Sequence, residues 1–223
     1  MTAPKVALLD IDGTLLDSND AHALAWLDVF AEFGHKATFE QVRELIGKGG
    51  DKLVPEVTGL AKDSPEGEAL AKRRSAIFAA NYLPDLRPFP GARALLEALQ
   101  ARGLALVVAT SSGSDQVDGL LRAAGVRDLI DEQTTADDAA RSKPDPDVVR
   151  AALAKSGRRP AEAVMLGDTP YDVEAATRAG VAAVALRCGG WGDGALRGAA
   201  AVYDGPADLL ANYEGSPFAR RVV

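Results

Sequence analysis

Two carboxylates one residue apart, Asp10 and Asp12, follow the apolar run of residues 6–9. A continuous apolar run of this kind is typical of a parallel strand that is buried on both faces. Charged side chains are costly inside such a strand, so we expect both aspartates just beyond its carboxyl end, where open α/β sheets bind ligands. The following Gly13 also suits an ordinary polar turn. The pair alone therefore leaves a structural and a chemical interpretation open.

Further polar residues follow apolar runs or turns later in the chain. Thr110 ends a second apolar run, and Lys143 lies in a turn. Asp168 ends a third apolar run, and Asp172 comes four residues later. Each has an ordinary explanation by itself: a hydroxyl bonded to its own backbone, a surface lysine, a helix cap, or an acid favoured by the helix dipole. Their recurrence at predicted strand ends favours one shared site, because parallel strands present their carboxyl ends at one edge.

Together these positions resemble the motifs of the haloacid dehalogenase-like (HAD) hydrolase superfamily. The motifs are D-x-D-G-T at residues 10–14, a strand-end threonine or serine at Thr110, a lysine before proline at Lys143, and G-D-x-x-x-D at residues 167–172. All four match without departure, and the resemblance covers about residues 5–213. The combination is specific for the superfamily and much less so for a substrate.

The resemblance implies covalent catalysis. The Asp10 carboxylate would attack a phosphoryl group and form an aspartyl-phosphate, which divides one difficult step into two. The implied cofactor is Mg²⁺, which takes carboxylate and phosphate oxygens. Its implied ligands are Asp10, the backbone carbonyl of Asp12, and Asp168.

Asp12 separates the branches of the superfamily. In the phosphohydrolases that the chain resembles, the second acid protonates the leaving oxygen and then takes a proton from the attacking water. The dehalogenase branch, which attacks carbon, typically lacks this acid. Its presence here predicts phosphoryl transfer rather than dehalogenation.

The resemblance also assigns roles around the phosphoryl group. Thr110 and Lys143 would hold its remaining oxygens, the lysine as a point charge. Ser111, beside Thr110, is a candidate for substrate binding. Asp172 has a short side chain and is expected to orient Lys143 or a metal-bound water.

Composition narrows the class of protein. The 223 residues carry a net charge of −7, and the acidic residues are spread along the chain. A nucleic-acid partner is not expected, since it would need a clustered basic face. No apolar run approaches the ~20 residues of a membrane span, and residues 1–4 leave no room for a signal peptide. Cys188 is the single cysteine, so no intramolecular disulfide can form. We expect a cytoplasmic monomer that acts on a small phosphorylated metabolite.

Predicted strands and helices alternate along most of the chain, which indicates an α/β fold with a doubly wound (Rossmann-like) parallel sheet. Residues 16–87 have no convincing strand pattern, and their apolar residues recur at helical spacing. We therefore predict a core domain of residues 1–15 and 88–223, with an all-helical cap domain of residues 16–87 inserted after the first strand. The chain after Tyr213 is expected to fray.

The predicted cap carries the substrate-binding candidates. His22 lies twelve residues after Asp10, in a run that resembles the cap entry of β-phosphoglucomutase-like members. It is either a substrate contact or a histidine that is half-buried or lies on the helix surface. Lys48 and Gly49 lie in a Gly-Lys-Gly-Gly loop that resembles the loop such enzymes lower over the substrate. A plain interhelical turn is the alternative.

The leading function is a Mg²⁺-dependent phosphatase for a small phosphomonoester, such as a sugar phosphate or phosphoglycolate. A phosphohexose mutase is the alternative, but β-phosphoglucomutases tend to carry Glu-Asp where this chain has Gly167 and Asp168. Cleavage of a phosphorus–carbon bond through a Schiff base would require Lys48 or Lys52 at the site. A non-catalytic binding module is least favoured, because it has no need of all the catalytic groups.

Overall fold

A six-stranded sheet organises residues 3–219, the part of the chain that the computed structural model describes. Its strands are β1 (Val6–Leu9), β2 (Ala105–Ala109), β3 (Glu132–Thr134), β4 (Ala163–Gly167), β5 (Ala182–Leu186) and β6 (Ala201–Tyr203). All neighbouring strands are parallel, in the order β3-β2-β1-β4-β5-β6. This is the order of a doubly wound sheet, so the predicted fold class is confirmed.

Nine α-helices lie within residues 3–219. They are α1 (Asn19–Glu32), α2 (Phe39–Arg43), α3 (Gly50–Thr58), α4 (Pro65–Asn81), α5 (Ala92–Ala101), α6 (Ser114–Ala123), α7 (Asp147–Ser156), α8 (Pro170–Arg178) and α9 (Pro206–Ala211). None of these helices is long and apolar enough to cross a membrane. Residues 16–87, all of which the structure describes, hold α1 to α4 and a few isolated bridges but no strand. Their separation as a cap domain stays a prediction.

The sheet is buried on both faces because side chains alternate along each strand. Ala7 and Leu9 belong to one apolar layer with α5, α6 and α9. Val6 and Leu8 belong to a second layer with α7 and α8. All four side chains of β1 are fully buried. A strand in this position needs an unbroken apolar sequence, which is why β1 could be predicted.

The C-terminal chain differs from the prediction that it frays after Tyr213. Residues 213–215 form a short 3₁₀ helix, and Phe218 is 2% exposed within the apolar layer of α5 and α9. Burial of the Phe218 ring offsets the lost freedom of the chain. Residues 220–223 lie outside the described residues. So do Met1 and Thr2, on which the expected absence of a signal peptide partly rests.

Replacing Phe218 with alanine is expected to lower the free energy of unfolding by about 3 kcal/mol, because a buried ring is lost. Glu214→Ala is the matched control. Glu214 is exposed and lies 3.4 Å from Arg102 in a surface ion pair, which is worth at most about 1 kcal/mol. Urea unfolding followed by circular dichroism measures both variants. Equally small losses would mean that Phe218 does not anchor the tail.

Candidate active site

The carboxyl ends of β1, β2 and β4 form the edge on which the motif residues lie. Asp10 comes directly after β1, Thr110 directly after β2, and Asp168 directly after β4. The strand order changes direction at β1, which has β2 on one side and β4 on the other. Connections that leave a sheet in opposite directions open a crevice at such a point. The sheet therefore gathers three distant parts of the chain in one crevice.

Lys143 lies between two carboxylates of this crevice. Its Nζ is 2.6 Å from Asp10 Oδ1 and 2.6 Å from Asp172 Oδ1, and its side chain is 1% exposed. Burial by itself lowers the pKa of Lys143, but the two carboxylates outweigh burial and raise the pKa above its ordinary value. Lys143 is therefore a permanent ammonium group, and Asp172 is placed to orient it.

Asp168 keeps its carboxylate in the crevice because another residue caps the helix that follows. The N-cap of α8 is Thr169, which forms a capping box with Asp172. Asp168 Oδ1 accepts a hydrogen bond from Thr14 Oγ1 at 3.0 Å, and its Oδ2 accepts one from Asn19 Nδ2 at 2.8 Å. Burial and the charge of Asp172 nevertheless raise the pKa of Asp168 to about 7.

Asp10, Asp168 and Asp172 form a cluster with the spacing of metal ligands. One carboxylate oxygen from each lies within 4.8 Å of the other two, and all three residues are buried. Burial raises the pKa of Asp10 well above its ordinary value, because the lowering by Lys143 is opposed by the neighbouring aspartates. Hard oxygen donors with excess negative charge fit a divalent cation. The sequence prediction named the Asp12 carbonyl as the third ligand, whereas this side-chain cluster offers Asp172.

The Asp12 carboxylate points away from this cluster and accepts hydrogen bonds from three side chains. Its Oδ1 accepts from Ser18 Oγ at 2.6 Å and from His22 Nε2 at 2.7 Å. Its Oδ2 accepts from Ser112 Oγ at 2.8 Å. Burial alone would raise the pKa of Asp12, but His22 and the two hydroxyl donors outweigh burial and lower it. Asp12 is thus held ionised.

His22 connects Asp12 to Arg74, a residue of α4. Arg74 Nη2 is hydrogen-bonded to His22 Nδ1, and a guanidinium can only donate. The ring therefore accepts at Nδ1 and carries its proton on Nε2, which donates to Asp12. Burial lowers the pKa of His22, in agreement with a neutral ring. The ring also stacks on Phe78, with centroids 4.1 Å apart.

A cavity of about 640 Å³ is lined by residues of the crevice and by residues of the helices. Its lining includes Asp10, Asp12, Thr110, Ser111, His22, Lys48 and Arg74. Ser111 Oγ is buried and has no hydrogen-bond partner among the described residues, so it is available to a ligand. The cavity is large enough for a small phosphorylated metabolite.

The two candidates of the Gly-Lys-Gly-Gly loop lie in different environments. Lys48 lines the cavity, but its Nζ is 2.8 Å from both carboxylate oxygens of Glu56 and 5.1 Å from the ring centroid of Tyr171. Gly49 packs against Ser142, where a Cβ would collide with the serine side chain. Lys48 therefore faces the cavity already paired, and Gly49 allows the loop to approach the segment that carries Lys143.

Four residues of the site escaped the sequence analysis. They are Ser18, Asn19, Arg74 and Ser112. Ser18 and Asn19 have the composition of a helix cap, yet the Ser18 side chain makes no cap hydrogen bond and binds Asp12 instead. Arg74 could have been noticed in the sequence, because it places a charged residue in the apolar stripe of α4 that includes Leu70 and Ile77.

The chain has a doubly wound α/β sheet, and a buried site of aspartates and a lysine lies where the strand order changes direction. These two features define the class of protein. The sequence model of the haloacid dehalogenase-like hydrolase family matches residues 7–186. The chain belongs to this family, and the resemblance drawn from its motifs is confirmed.

Individual relatives agree with this assignment. A phosphoglycolate phosphatase from Rhodospirillum rubrum is 35% identical over 215 residues, which cover 92% of this chain and 89% of the relative. A solved hydrolase from Pseudomonas syringae is 29% identical with a TM-score of 0.88, covering 95% of this chain and 98% of that one. β-Phosphoglucomutase from Clostridium difficile has a TM-score of 0.83 over 96% of this chain and 97% of its own. It is 17% identical, so this likeness shows the fold alone.

Removing the ammonium group with Lys143→Met is expected to lower the free energy of unfolding by about 3 kcal/mol in metal-free buffer, because two buried carboxylates lose their counter-charge. Lys52→Met is the matched control, since Lys52 forms a more exposed pair with Asp145 at 2.7 Å and is expected to cost at most about 1 kcal/mol. Urea unfolding with EDTA measures both losses. A Lys143→Met loss no larger than that of the control would contradict the charge balance described above.

Proposed function

We propose that the protein is a Mg²⁺-dependent phosphatase that hydrolyses a small phosphomonoester, of the sugar phosphate or phosphoglycolate type, through an aspartyl-phosphate intermediate. The observation that carries the proposal is the contact of Asp10 with Lys143 at the floor of the cavity, beside the ionised Asp12. The similarity to a phosphoglycolate phosphatase over 92% of the chain supports the same chemistry.

In the first step an oxygen of Asp10 bonds to phosphorus while the bond to the leaving oxygen breaks. An anionic nucleophile and an anionic substrate repel each other, and Lys143, 2.6 Å from Asp10 Oδ1, offsets both charges. Thr110 Oγ1 accepts a hydrogen bond from Ser112 N at 3.1 Å. The hydroxyl proton of Thr110 is thereby left for a phosphoryl oxygen.

Asp12 moves the protons. Its three donors hold it ionised before the substrate enters. A phosphoryl dianion beside it disfavours that charge and raises its pKa, so that Asp12 takes up a proton. It delivers this proton to the leaving oxygen and then accepts one from the water that hydrolyses the aspartyl-phosphate.

Asp10, Asp168 and the backbone carbonyl of Asp12 would hold Mg²⁺. Asp172, whose Oδ1 lies 2.6 Å from Lys143 Nζ, would orient that lysine. When bound, Mg²⁺ reduces the charge repulsion and polarises the phosphoryl group. Thr14 and Asn19 support this role because each donates a hydrogen bond to Asp168 and so fixes its carboxylate.

A phosphohexose mutase is the alternative function. Its support is the position of His22, which lines the cavity and is hydrogen-bonded to Asp12. Gly167 before Asp168 favours the phosphatase, because the Gly-Asp form of this motif is commoner in phosphatases.

Schiff-base chemistry has less support. Lys48 pairs with Glu56 at 2.8 Å, and Lys52 pairs with Asp145 at 2.7 Å. Each of these amines is therefore already engaged in a salt bridge with a carboxylate.

The proposed enzyme is a cytoplasmic monomer with a core domain of residues 1–15 and 88–223 and a cap domain of residues 16–87. The chain crosses between these domains at two adjacent positions, since Asp17 N donates to Arg87 O at 3.0 Å and Phe89 N donates to Leu15 O at 3.0 Å. Two neighbouring crossings suit a hinge that opens the cavity to substrate.

Replacing Asp10 with asparagine is expected to abolish phosphate release from every ester while the far-ultraviolet circular dichroism is unchanged, because an amide oxygen does not form the phosphoenzyme. The measurement is phosphate release from a panel of phosphomonoesters, with Mg²⁺ or with EDTA. Asp128→Asn serves as the control, since Asp128 pairs with Arg93 on the surface. Turnover retained by Asp10→Asn would exclude the aspartyl-phosphate mechanism.

The same panel separates the two candidate functions. A phosphatase releases free phosphate from a β-hexose 1-phosphate, whereas a mutase converts it to the 6-phosphate isomer. Isomerisation without phosphate release by the unaltered protein would replace the phosphatase with the mutase.

Stabilisation by Mg²⁺ is expected to be larger at pH 7.5 than at pH 5.5, by about 4 °C in melting temperature. The pKa of Asp168 is raised from 3.8 to about 7, so the metal-free fold loses stability as pH rises through that range. Mg²⁺ removes this loss by binding the ionised form. His22 acts in the opposite sense, because its lowered pKa costs stability as pH falls below about 6.5, but it contributes with and without Mg²⁺.

The measurement is the melting temperature with Mg²⁺ minus that with EDTA at each pH. Asp168→Asn is expected to show a smaller dependence of this difference on pH, and Asp10, whose pKa is also raised, accounts for the part that remains. An equal difference at both pH values in the unaltered protein would contradict the assignment of Asp168 as a ligand.

A further inference from the structure

We infer that the cavity contains a second anion-binding position, formed by Arg74, that selects phosphomonoesters carrying a carboxylate or a second phosphate a short distance from the ester oxygen. The inference rests on the proposed phosphatase function, and it adds a substrate class and the residue that recognises it. Neutral sugar phosphates would be poor substrates by the same reasoning.

Arg74 is a buried cation that forms no salt bridge with a carboxylate of the described residues. It is 9% exposed and lines the cavity. Its Nη1 donates to Gln116 Oε1 at 2.9 Å, and its Nη2 is hydrogen-bonded to His22. Its Nε is buried without a partner among the described residues. Both hydrogen-bonded partners are neutral, and Asp12 and Asp115 act on the charge of Arg74 without contacting it, so they offset only part of the cost of burying that charge. An anionic ligand would remove that cost.

The guanidinium is also held in one place. It lies 5.3 Å from the ring centroid of Trp26 and 5.0 Å from that of Phe78, within cation–π range of both. A charge fixed between two rings and two hydrogen-bonded partners needs little reorganisation when a ligand arrives. Such preorganisation is what an anion-binding position requires.

The distance between Arg74 and Asp12 limits how far the second anionic group of a substrate can lie from its ester oxygen. Arg74 is separated from Asp12 by one imidazole ring and a hydrogen bond on each side, on the order of 7 Å in all. Asp12 marks the place of the ester oxygen in the proposed mechanism. A second anionic group roughly two to four bonds from that oxygen can therefore contact Arg74 while the phosphoryl group lies over Asp10.

The exposed charged residues that line the cavity are weaker candidates for an anion-binding position. Lys62 and Lys72 line the cavity too, but both are exposed, and Asp115 and Asp137 line it as well. These charges of opposite sign offset one another in solvent, where they are also screened. Arg74 is distinguished from them by burial.

The test compares matched esters that differ in one charged group. One pair is 2-phosphoglycolate and its amide, and the other is 1,3-propanediol bisphosphate and 3-hydroxypropyl phosphate. We expect kcat/KM of the unaltered protein to be about 10-fold or more higher for the charged member of at least one pair. The first pair reports a carboxylate and the second reports a second phosphate.

Variants then assign the preference to Arg74. Arg74→Gln is expected to reduce the charged-to-neutral ratio towards one, and Arg74→Lys to retain part of it. Arg73→Gln is the matched control, because Arg73 is the preceding residue of α4 but is exposed and paired with Glu32 at 2.7 Å. If Arg74 serves only to hold His22, Arg74→Gln lowers kcat/KM for both members equally and the ratio is unchanged.

Binding to Asp10→Asn, measured by calorimetry with the same four esters, separates this inference from the proposed function. Absence of phosphate release from every ester, with charged esters still bound more tightly, would overturn the phosphatase and keep the anion-binding position. Equal binding and equal turnover within both pairs would overturn the anion-binding position alone. Should Arg74→Gln not fold, the ratios of the unaltered protein and Arg74→Lys decide.

Discussion

The ammonium group of Lys143 is the charge on which the edge of the sheet depends. Three acidic residues, Asp10, Asp168 and Asp172, lie buried within a few ångströms of one another. Such crowding is unfavourable without a counter-charge. Lys143 contacts two of the three, and the negative charge that remains suits a cation. The charge balance that lets this edge fold is therefore the same balance that prepares it for an anionic substrate.

A series of hydrogen bonds connects the site at the edge of the sheet to residues of the helices. It begins at Asp12, after β1, passes through His22 of α1 and ends at Arg74 of α4. Arg74 in turn contacts Gln116 of α6, which also lines the cavity. The residue proposed to move protons is thus connected to the wall of the substrate cavity. Any shift of α1 or α4 relative to the sheet would change the environment of Asp12.

The sequence predicted the sheet and the strand ends that the motif residues follow, and the reason is local. A strand buried on both faces must be apolar throughout, so a carboxylate after such a run marks the strand end, as Asp10 does. The predictions that failed or stayed open depended on distant contacts. The sequence predicted a frayed tail because it does not show what Phe218 packs against. Phe218 lies in an apolar layer with residues of α5 and α9, and α5 is far away in the chain. Lys48 could not be known to pair with Glu56.

The sequence by itself determined the doubly wound sheet, the helical segment after β1, and the residues that could attack, protonate and neutralise a phosphoryl group. The sheet and the helical segment follow from periodicity, which acts over a few residues, and the roles of the site residues are those that the resemblance of the motifs implies. Only the tertiary structure decided the partners. It placed Asp172 against Lys143, turned Ser18 towards Asp12, and buried Arg74 against His22 and Gln116. Hydrogen bonds and charge pairing join residues far apart in the chain, and their free energy exists only once the fold has brought those residues together.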